Sequence, residues 1–273
     1  MRNVIPISLT LLSLLLTCNT VVADKKKGKV VEQRPLIDEP DRLPLVEKPQ
    51  ATIHVLPPIS IPEASVRITF HRATQRTGID VSHYQGRIDW RAVSATGKVG
   101  YAYVKATEST SLKDDTYAYN IREAHNAGIP VGCYHFFSPT TDANEQLKNF
   151  TATVDLTNHD LVPMVDVELR GKSPLPQFIQ RLRTFIQGLE HHYKVKPILY
   201  TSINFYTKYL AGHFDDYVYM IARYADEIPQ PESGCRFGLW QYSASGRING
   251  IHGSVDCSCF VDNYELKDIL IKK

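Results

Sequence analysis

The chain is poor in the residues that announce most cofactor and nucleotide chemistry. Five cysteines occur in 273 residues, and no Cys or His pairing stands at the spacing of a zinc site. A glycine-rich phosphate loop is missing, as is a G-x-S-x-G elbow, so nucleotide binding and serine hydrolysis both lack support. Charge of one sign is missing too: 31 Lys and Arg against 29 Asp and Glu leave a formal charge of +2. That balance argues for no nucleic-acid partner, and it is merely compatible with an anionic envelope polymer. Long hydrophobic runs are absent except for one at the N-terminus. There, "MRNVIPISLTLLSLLLTCNTVVADKKK" places one basic residue, an apolar stretch and small residues ahead of an abrupt polar turn. This is secretory-signal architecture, with cleavage expected after Val21-Val22-Ala23. The run is near the minimum for a span, which makes an uncleaved anchor the weaker alternative; after cleavage no stable membrane span is expected. Cys18 in "LLTC" faintly resembles a bacterial lipoprotein signal, so a lipid anchor through Cys18 is a further alternative, although Leu16 and Thr17 fit it poorly. Export to the periplasm, cell envelope or extracellular space is the expected destination.

Residues 24–72 form a second zone, opening on "DKKKGK" and scattered with proline as in "RPLIDEPDRLPLVEKP". Without sustained periodicity it reads as an extended linker or stalk. "SVRITFH" at 65–71 is a candidate edge strand. The partition is therefore a leader at 1–23, a Pro-rich linker at 24–72 and a barrel domain at 73–273. Past the leader, Cys133, Cys235, Cys257 and Cys259 remain, and an exported protein permits disulfides. Cys257 and Cys259 share one strand face. A bridge from Cys235 to either is one expectation, and buried free thiols are its equal.

What is present in quantity is aromatic: 15 Tyr and 10 Phe, which fill cores or line grooves. From residue 78 onward, eight β-branched or aromatic runs recur: 78–82, 101–107, 130–137, 161–169, 197–202, 217–224, 237–243 and 254–260. Helix-compatible segments separate the early ones. "DTYAYNIREAHNAG" stops on a glycine, and "DANEQLKNFTATV" opens with Asp142 and Glu145 at capping-box spacing. "PLPQFIQRLRTFIQGLEHHY" carries Ile179, Leu182, Ile186 and Leu189 on one stripe, and "SINFYTKYL" is shorter. Strand and helix in alternation predict parallel βα units, and eight strands favour closure into an α/β, TIM-like barrel. The last two connections, "ADEIPQPESGCR" and "ASGRINGIHG", are too proline-rich or too short for crossover helices. Five βα units followed by three bare strands, paired partly antiparallel, are expected.

Polar residues gather where these strands end. Asp80 falls near the end of the first; Lys105, Thr107 and Glu108 end the second. Tyr134 and His135 close the third, Asp166 and Glu168 the fourth, and Tyr200 the fifth. Arg223 and Tyr224 close the sixth, Gln241 and Tyr242 the seventh, and Asp256 opens the eighth. In such barrels the carboxyl ends form the mouth that holds the chemistry. His83 and His135 hint at a metal-dependent deacetylase, but no second ligand set accompanies them, so neither metal nor cofactor is expected. His191-His192 at a helix end reads as solvated.

"DVSHYQGRIDW" (80–90) and "KATE" (105–108) resemble glycoside hydrolase family 25, the muramidases often called Chalaropsis-type lysozymes. So do "AGIPVGCYHFF" (127–137), "MVDVE" (164–168), "LYTS" (199–202), "ARY" (222–224), "LWQYS" (239–243) and "VDCSCF" (255–260). The resemblance spans roughly residues 76–265. It implies an eight-stranded barrel with five helices and cleavage of the β-1,4 bond between N-acetylmuramic acid and N-acetylglucosamine in peptidoglycan. It also maps the family's Asp-x-Glu onto Asp166 and Glu168, its first-strand aspartate onto Asp80 and its last-strand aspartate onto Asp256. Two departures stand out: Ser109 follows Glu108 where the family usually has glycine, and Cys257-Ser258-Cys259 replaces a more usual leucine-asparagine pattern.

Glycoside cleavage needs a proton for the leaving oxygen and stabilisation of an oxocarbenium-like centre. Glu168 is the candidate general acid, with Asp166 two residues away on the same face, about 6.5–7 Å between Cα atoms. Asp166 would orient a 2-acetamido group that attacks from within the substrate. The rival is a direct carboxylate nucleophile, Asp80 or Asp166. Asp256, Tyr134, Tyr200, Arg223, Trp240 and Gln241 are candidate substrate contacts. The expected partner is the peptidoglycan glycan strand, met by a monomer. A non-catalytic peptidoglycan binder and a hydrolase of another acetamido-glycan such as chitin are the competing readings.

Overall fold

The computed structural model describes residues 77–231 and 234–272. The expected leader, the linker, the 65–71 strand and Cys18 lie outside the described residues. Among the described residues nine strands are present: β1 (Thr77–Val81), β2 (Tyr101–Glu108), β3 (Leu112–Lys113), β4 (Val131–Phe136), β5 (Met164–Asp166), β6 (Ile198–Ser202), β7 (Val218–Ala222), β8 (Arg236–Gly246) and β9 (Val255–Phe260). Their order is β1-β9-β8-β7-β6-β5-β4-β2-β3, and a β1–β2 pairing closes the ring. Because β3 only folds back antiparallel onto the end of β2, the barrel itself has eight strands.

Five helices fill the first five connections: α1 (Trp90–Ala95), α2 (Tyr117–Asn126), α3 (Ala143–Thr151), α4 (Leu175–Tyr193) and α5 (Ile203–Phe205). Their starts follow from side-chain caps that satisfy the first backbone N–H groups. Asp89 accepts from Ala92 N at α1, and Asp142 accepts from Asn144 N and Glu145 N at α3. Pro174 opens α4, which buries Phe178, Ile179, Leu182, Phe185, Ile186 and Leu189 on one side. The segment expected as one helix at 202–210 splits instead, α5 widening into a π turn over Tyr206–Leu210. Among the described residues no helix is long and apolar enough to cross a membrane.

Strand alternation divides the apolar residues into two cores. Tyr101, Tyr103, Met164, Ile198, Tyr200, Met220, Leu239 and Phe260 fill the barrel. Their neighbours Ala102, Val104, Val165, Val167, Leu199, Tyr219 and Ile221 face outward into the layer shared with the helices. Each large side chain so buried contributes about 1.5–3 kcal/mol. The interior tyrosines also satisfy their hydroxyls: Tyr101 meets Ser258 Oγ at 2.9 Å and Tyr103 donates to Val162 O at 3.1 Å. Space inside is tight enough that Gly132 admits no side chain, since a Cβ there would stand 2.8 Å from Leu161 and from Tyr103.

One expectation about the strands is corrected and another is met. The run at 161–169 is a regular strand only over Met164–Asp166. Pro163 offers no N–H for the ladder, and Leu161 makes an isolated bridge to Leu270 instead. The closing strands are partly antiparallel, as expected: β9 opposes both β8 and β1, which makes two antiparallel seams, whereas β7 and β8 run parallel. The described part of the connection 223–235 holds no helix. A dozen extended residues at about 3.3 Å each suffice to carry the chain back to the start of a parallel neighbour.

Candidate active site

The barrel's alternation sends every second side chain inward, and at the carboxyl ends of the parallel strands those positions are acidic. Asp80 of β1 lies directly opposite Asp256 of the antiparallel β9. Like charges in that relation repel unless a proton is shared. Burial is the largest cause holding the Asp80 carboxyl well above the usual carboxylate range; the charge of Asp256, a hydrogen bond with it and the charge of Glu168 act in the same direction. The Gln241 amide opposes them, its Nε2 donating to Asp80 Oδ2 at 3.0 Å.

Asp166 ends β5 and is buried, its backbone oxygen accepting from Phe137 N at 2.9 Å. Val167 then turns outward into the helix-facing core, and Glu168 faces in again, half-buried. The two acids expected on one face are on one face. Between them and Asp80 stands Tyr200 of β6. Its hydroxyl lies 2.9 Å from Gln241 Oε1 and 3.4 Å from Glu168 Oε1. Burial, then the charge of Glu168, then Tyr224, Asp166 and Asp80 raise the ionisation of this phenol, which keeps it a neutral donor. Tyr224 adds a second hydroxyl to Gln241 Oε1 at 3.0 Å.

The remaining candidates are distributed by strand parity. Tyr134 packs half-buried against the barrel interior, beside Lys105 in register. Lys105 is buried, ion-paired to Glu108 and placed over the Phe136 ring at 5.3 Å. Trp240 belongs to the outer core; its indole N–H donates to Arg223 O at 2.9 Å and its ring meets Tyr242 edge-on at 5.7 Å. Arg223 is exposed, with its backbone N–H given to Gln241 O at 3.1 Å. Gln241 is only 1% exposed. Tyr224 and Lys105 were not among the site residues expected from sequence. Parity had signalled both, since Tyr224 continues the inward series of Met220 and Ala222, and Lys105 that of Tyr101 and Tyr103.

His83 Nδ1 meets Asp114 Oδ2 at 2.9 Å. His135 is fully buried between Thr107 and Gln146. His191 and His192 are exposed in the last turn of α4. Cys235 is a free thiol, so the bridge from it to Cys257 or Cys259 is not formed; Cys133 and Cys257 are buried free thiols.

Comparison with known proteins agrees with this arrangement. Residues 79–251 match the glycosyl hydrolases family 25 model. The uncharacterized protein YegX of Escherichia coli K12 is 36% identical over 187 residues, 67% of this chain and 68% of that protein. Lysozyme M1 of Streptomyces globisporus is 32% identical over 197 residues, 67% of each chain. Among solved structures, the lysozyme of Streptomyces coelicolor superposes with a TM-score of 0.64 at 29% identity, covering 71% of this chain and 94% of that one. An eight-stranded barrel closed by one antiparallel strand, with acids gathered at its mouth and this sequence kinship, makes the chain a glycoside hydrolase belonging to glycosyl hydrolase family 25, the lysozyme and muramidase family.

Proposed function

We propose that the protein is an exported N-acetylmuramidase that cuts the β-1,4 bond between N-acetylmuramic acid and N-acetylglucosamine in peptidoglycan glycan strands. The observation that carries this reading is the convergence of Asp80, Asp166 and Glu168 around the Tyr200 hydroxyl, which feels all three charges. Membership of the lysozyme and muramidase family supports it. Glu168, the less buried acid of its pair, protonates the leaving oxygen as the glycosidic bond breaks. The substrate's own acetamide oxygen attacks the anomeric carbon from the opposite face, and buried Asp166 orients and polarises the acetamide N–H. Water then opens that intermediate, its proton passing to Glu168, which is thereby restored. Asp80 fits the rival role of nucleophile less well, because burial and the Asp256 charge raise its affinity for a proton, and a carboxyl attacks less readily the more it favours its protonated form.

Asp256, Tyr134 and Tyr200 are proposed to line the sugar site, with exposed Arg223 at the rim and Trp240 bracing the β7–β8 edge. The leader at 1–23 would direct export, the segment 24–72 would act as a linker, and the barrel would work as a monomer without nucleic acid. Digestion of purified peptidoglycan, with mass analysis of the new reducing ends, tests the reading. Wild type should release muramic acid ends, and Glu168→Gln should lose on the order of 10² to 10⁴ in rate. Full activity of Glu168→Gln would overturn the acid role. Binding without digestion by wild type would make the protein a wall binder, and cleavage of chitin oligomers alone would assign a different glycan.

A further inference from the structure

Gln241 emerges from the fold with a role different from that of a sugar ligand. Its side chain is shut from solvent and its hydrogen-bonding capacity is nearly consumed. The amide oxygen accepts from Tyr200 at 2.9 Å and Tyr224 at 3.0 Å, which occupies both lone pairs. The amide nitrogen gives one N–H to Asp80 Oδ2 at 3.0 Å. This orientation forms all three hydrogen bonds with Asp80 ionised, whereas a reversed amide would then press its oxygen against a carboxylate oxygen. Strand β8 holds the residue in place: Gln241 pairs in register with Ser258 on one side and Ala222 on the other.

We propose that Gln241 is the positioning residue of the acid cluster, linking Asp80 to Glu168 through the hydroxyl of Tyr200. This rests on the muramidase reading for its consequence, though not for its geometry. Tyr200 has one proton and, besides the neighbouring Tyr224 hydroxyl, two acceptors, Gln241 Oε1 close by and Glu168 Oε1 farther off. While Glu168 is protonated, the Tyr200 proton stays with Gln241, and Glu168 keeps its own proton for the leaving oxygen. Once Glu168 has given that proton up, the Tyr200 hydroxyl turns to the new carboxylate, and Tyr224 still satisfies the amide oxygen. At the other end, the Gln241 N–H holds Asp80 toward its ionised form against the groups that oppose it. Asp256 from β9 and Glu168 beyond β5 oppose it, together with burial; the other titratable groups near Asp80 are Tyr101 from β2, Tyr200 from β6, Tyr224 beyond β7 and Cys257 from β9, whose own ionisation the Asp80 charge raises.

The test compares wild type with Gln241→Leu, which removes donor and acceptors, and Gln241→Glu, which keeps an acceptor for both tyrosines but loses the donor. Two readouts are taken on each full-length protein: the kinetics of peptidoglycan digestion against pH, and the carbon-13 titration of the Asp80 carboxyl by NMR. Both variants should lower kcat on the order of 10²-fold with little change in KM, as misplacement of a reacting group does. Both should also move the Asp80 titration to higher pH. Should Gln241→Leu fail to fold, Gln241→Glu alone carries the comparison. A raised KM with unchanged kcat and an unmoved titration would make Gln241 a substrate ligand and overturn the proposal. If wild type digests no peptidoglycan, the function reading falls by itself, and the Asp80 titration still decides the positioning role: a shift supports it and no shift overturns it.

Discussion

His135 should make this fold sensitive to mild acid by an amount the structure allows to be worked out. The ring is fully buried and stacked on Phe185 at 4.6 Å. Thr107 Oγ1 faces Nδ1 at 2.7 Å and Gln146 Oε1 faces Nε2 at 3.2 Å. Gln146 Oε1 also accepts from Ser138 N at 2.8 Å, so it is held as an acceptor and requires the proton on Nε2. Nδ1 then accepts from the threonine hydroxyl, and the neutral ring is complete. Burial is the main cause that brings its ionisation down from 6.5 to about 3, with the charge of Lys105 acting the same way and Gln146 opposing. A histidine depressed in the folded state contributes its full stability above the unfolded value of 6.5 and loses it as pH falls toward 3. From pH 7 to pH 5 the loss integrates to about 2 kcal/mol at 1.36 kcal/mol per unit. His159, also lowered, and Asp80, raised and therefore of opposite sign, are common to any variant at residue 135. The quantity to measure is thus a difference: urea denaturation of wild type and His135→Gln at both pH values. Wild type should lose about 2 kcal/mol more than the variant on acidification. Equal losses in the two proteins would refute the argument, because they would mean that the native ring takes up a proton freely.

Three further outcomes are expected. Ser109, where the family usually has glycine, sits at φ +51, so Ser109→Gly should stabilise the fold by about 0.5–1 kcal/mol in thermal or urea unfolding. A loss of stability would instead show that the Ser109–Thr141 hydroxyl contact of 3.2 Å matters more than the backbone strain. Gly78→Ala should destabilise by about 1–3 kcal/mol or more, since the new Cβ would lie 2.1 Å from the Tyr101 ring whose hydroxyl is tied to Ser258; an unchanged melting temperature would mean that this ring yields. Because Cys235 is free and the thiols of Cys235 and Cys257 are pushed up to about 11, a reductant should leave the melting temperature unchanged and labelling of Cys235 and Cys257 in the native protein at pH 8 should be slow. A drop of several degrees on reduction would contradict the free state of Cys235.

Strand position and strand parity were written in the sequence, because a period of two and a β-branched or aromatic run are local properties. The eight runs, the stripe on α4 and the pairing of Asp166 with Glu168 on one face could all be read before any fold was known. Parity also held the placement of Trp240 on the outer side and of Tyr224 on the inner side, but only once the inward residues of each strand were identified. What the chain alone could not determine was long-range. The parallel β7–β8 seam depends on where a helix-free connection lands, and the truncation of β5 depends on Pro163 meeting a ladder that only the assembled sheet supplies. The Asp80–Asp256 opposition joins the first strand to the last. Its register exists only when the barrel closes, and with it the burial that raises Asp80 and the amide of Gln241 that holds it. Local chemistry chose the acids; closure of the ring decided which of them face each other.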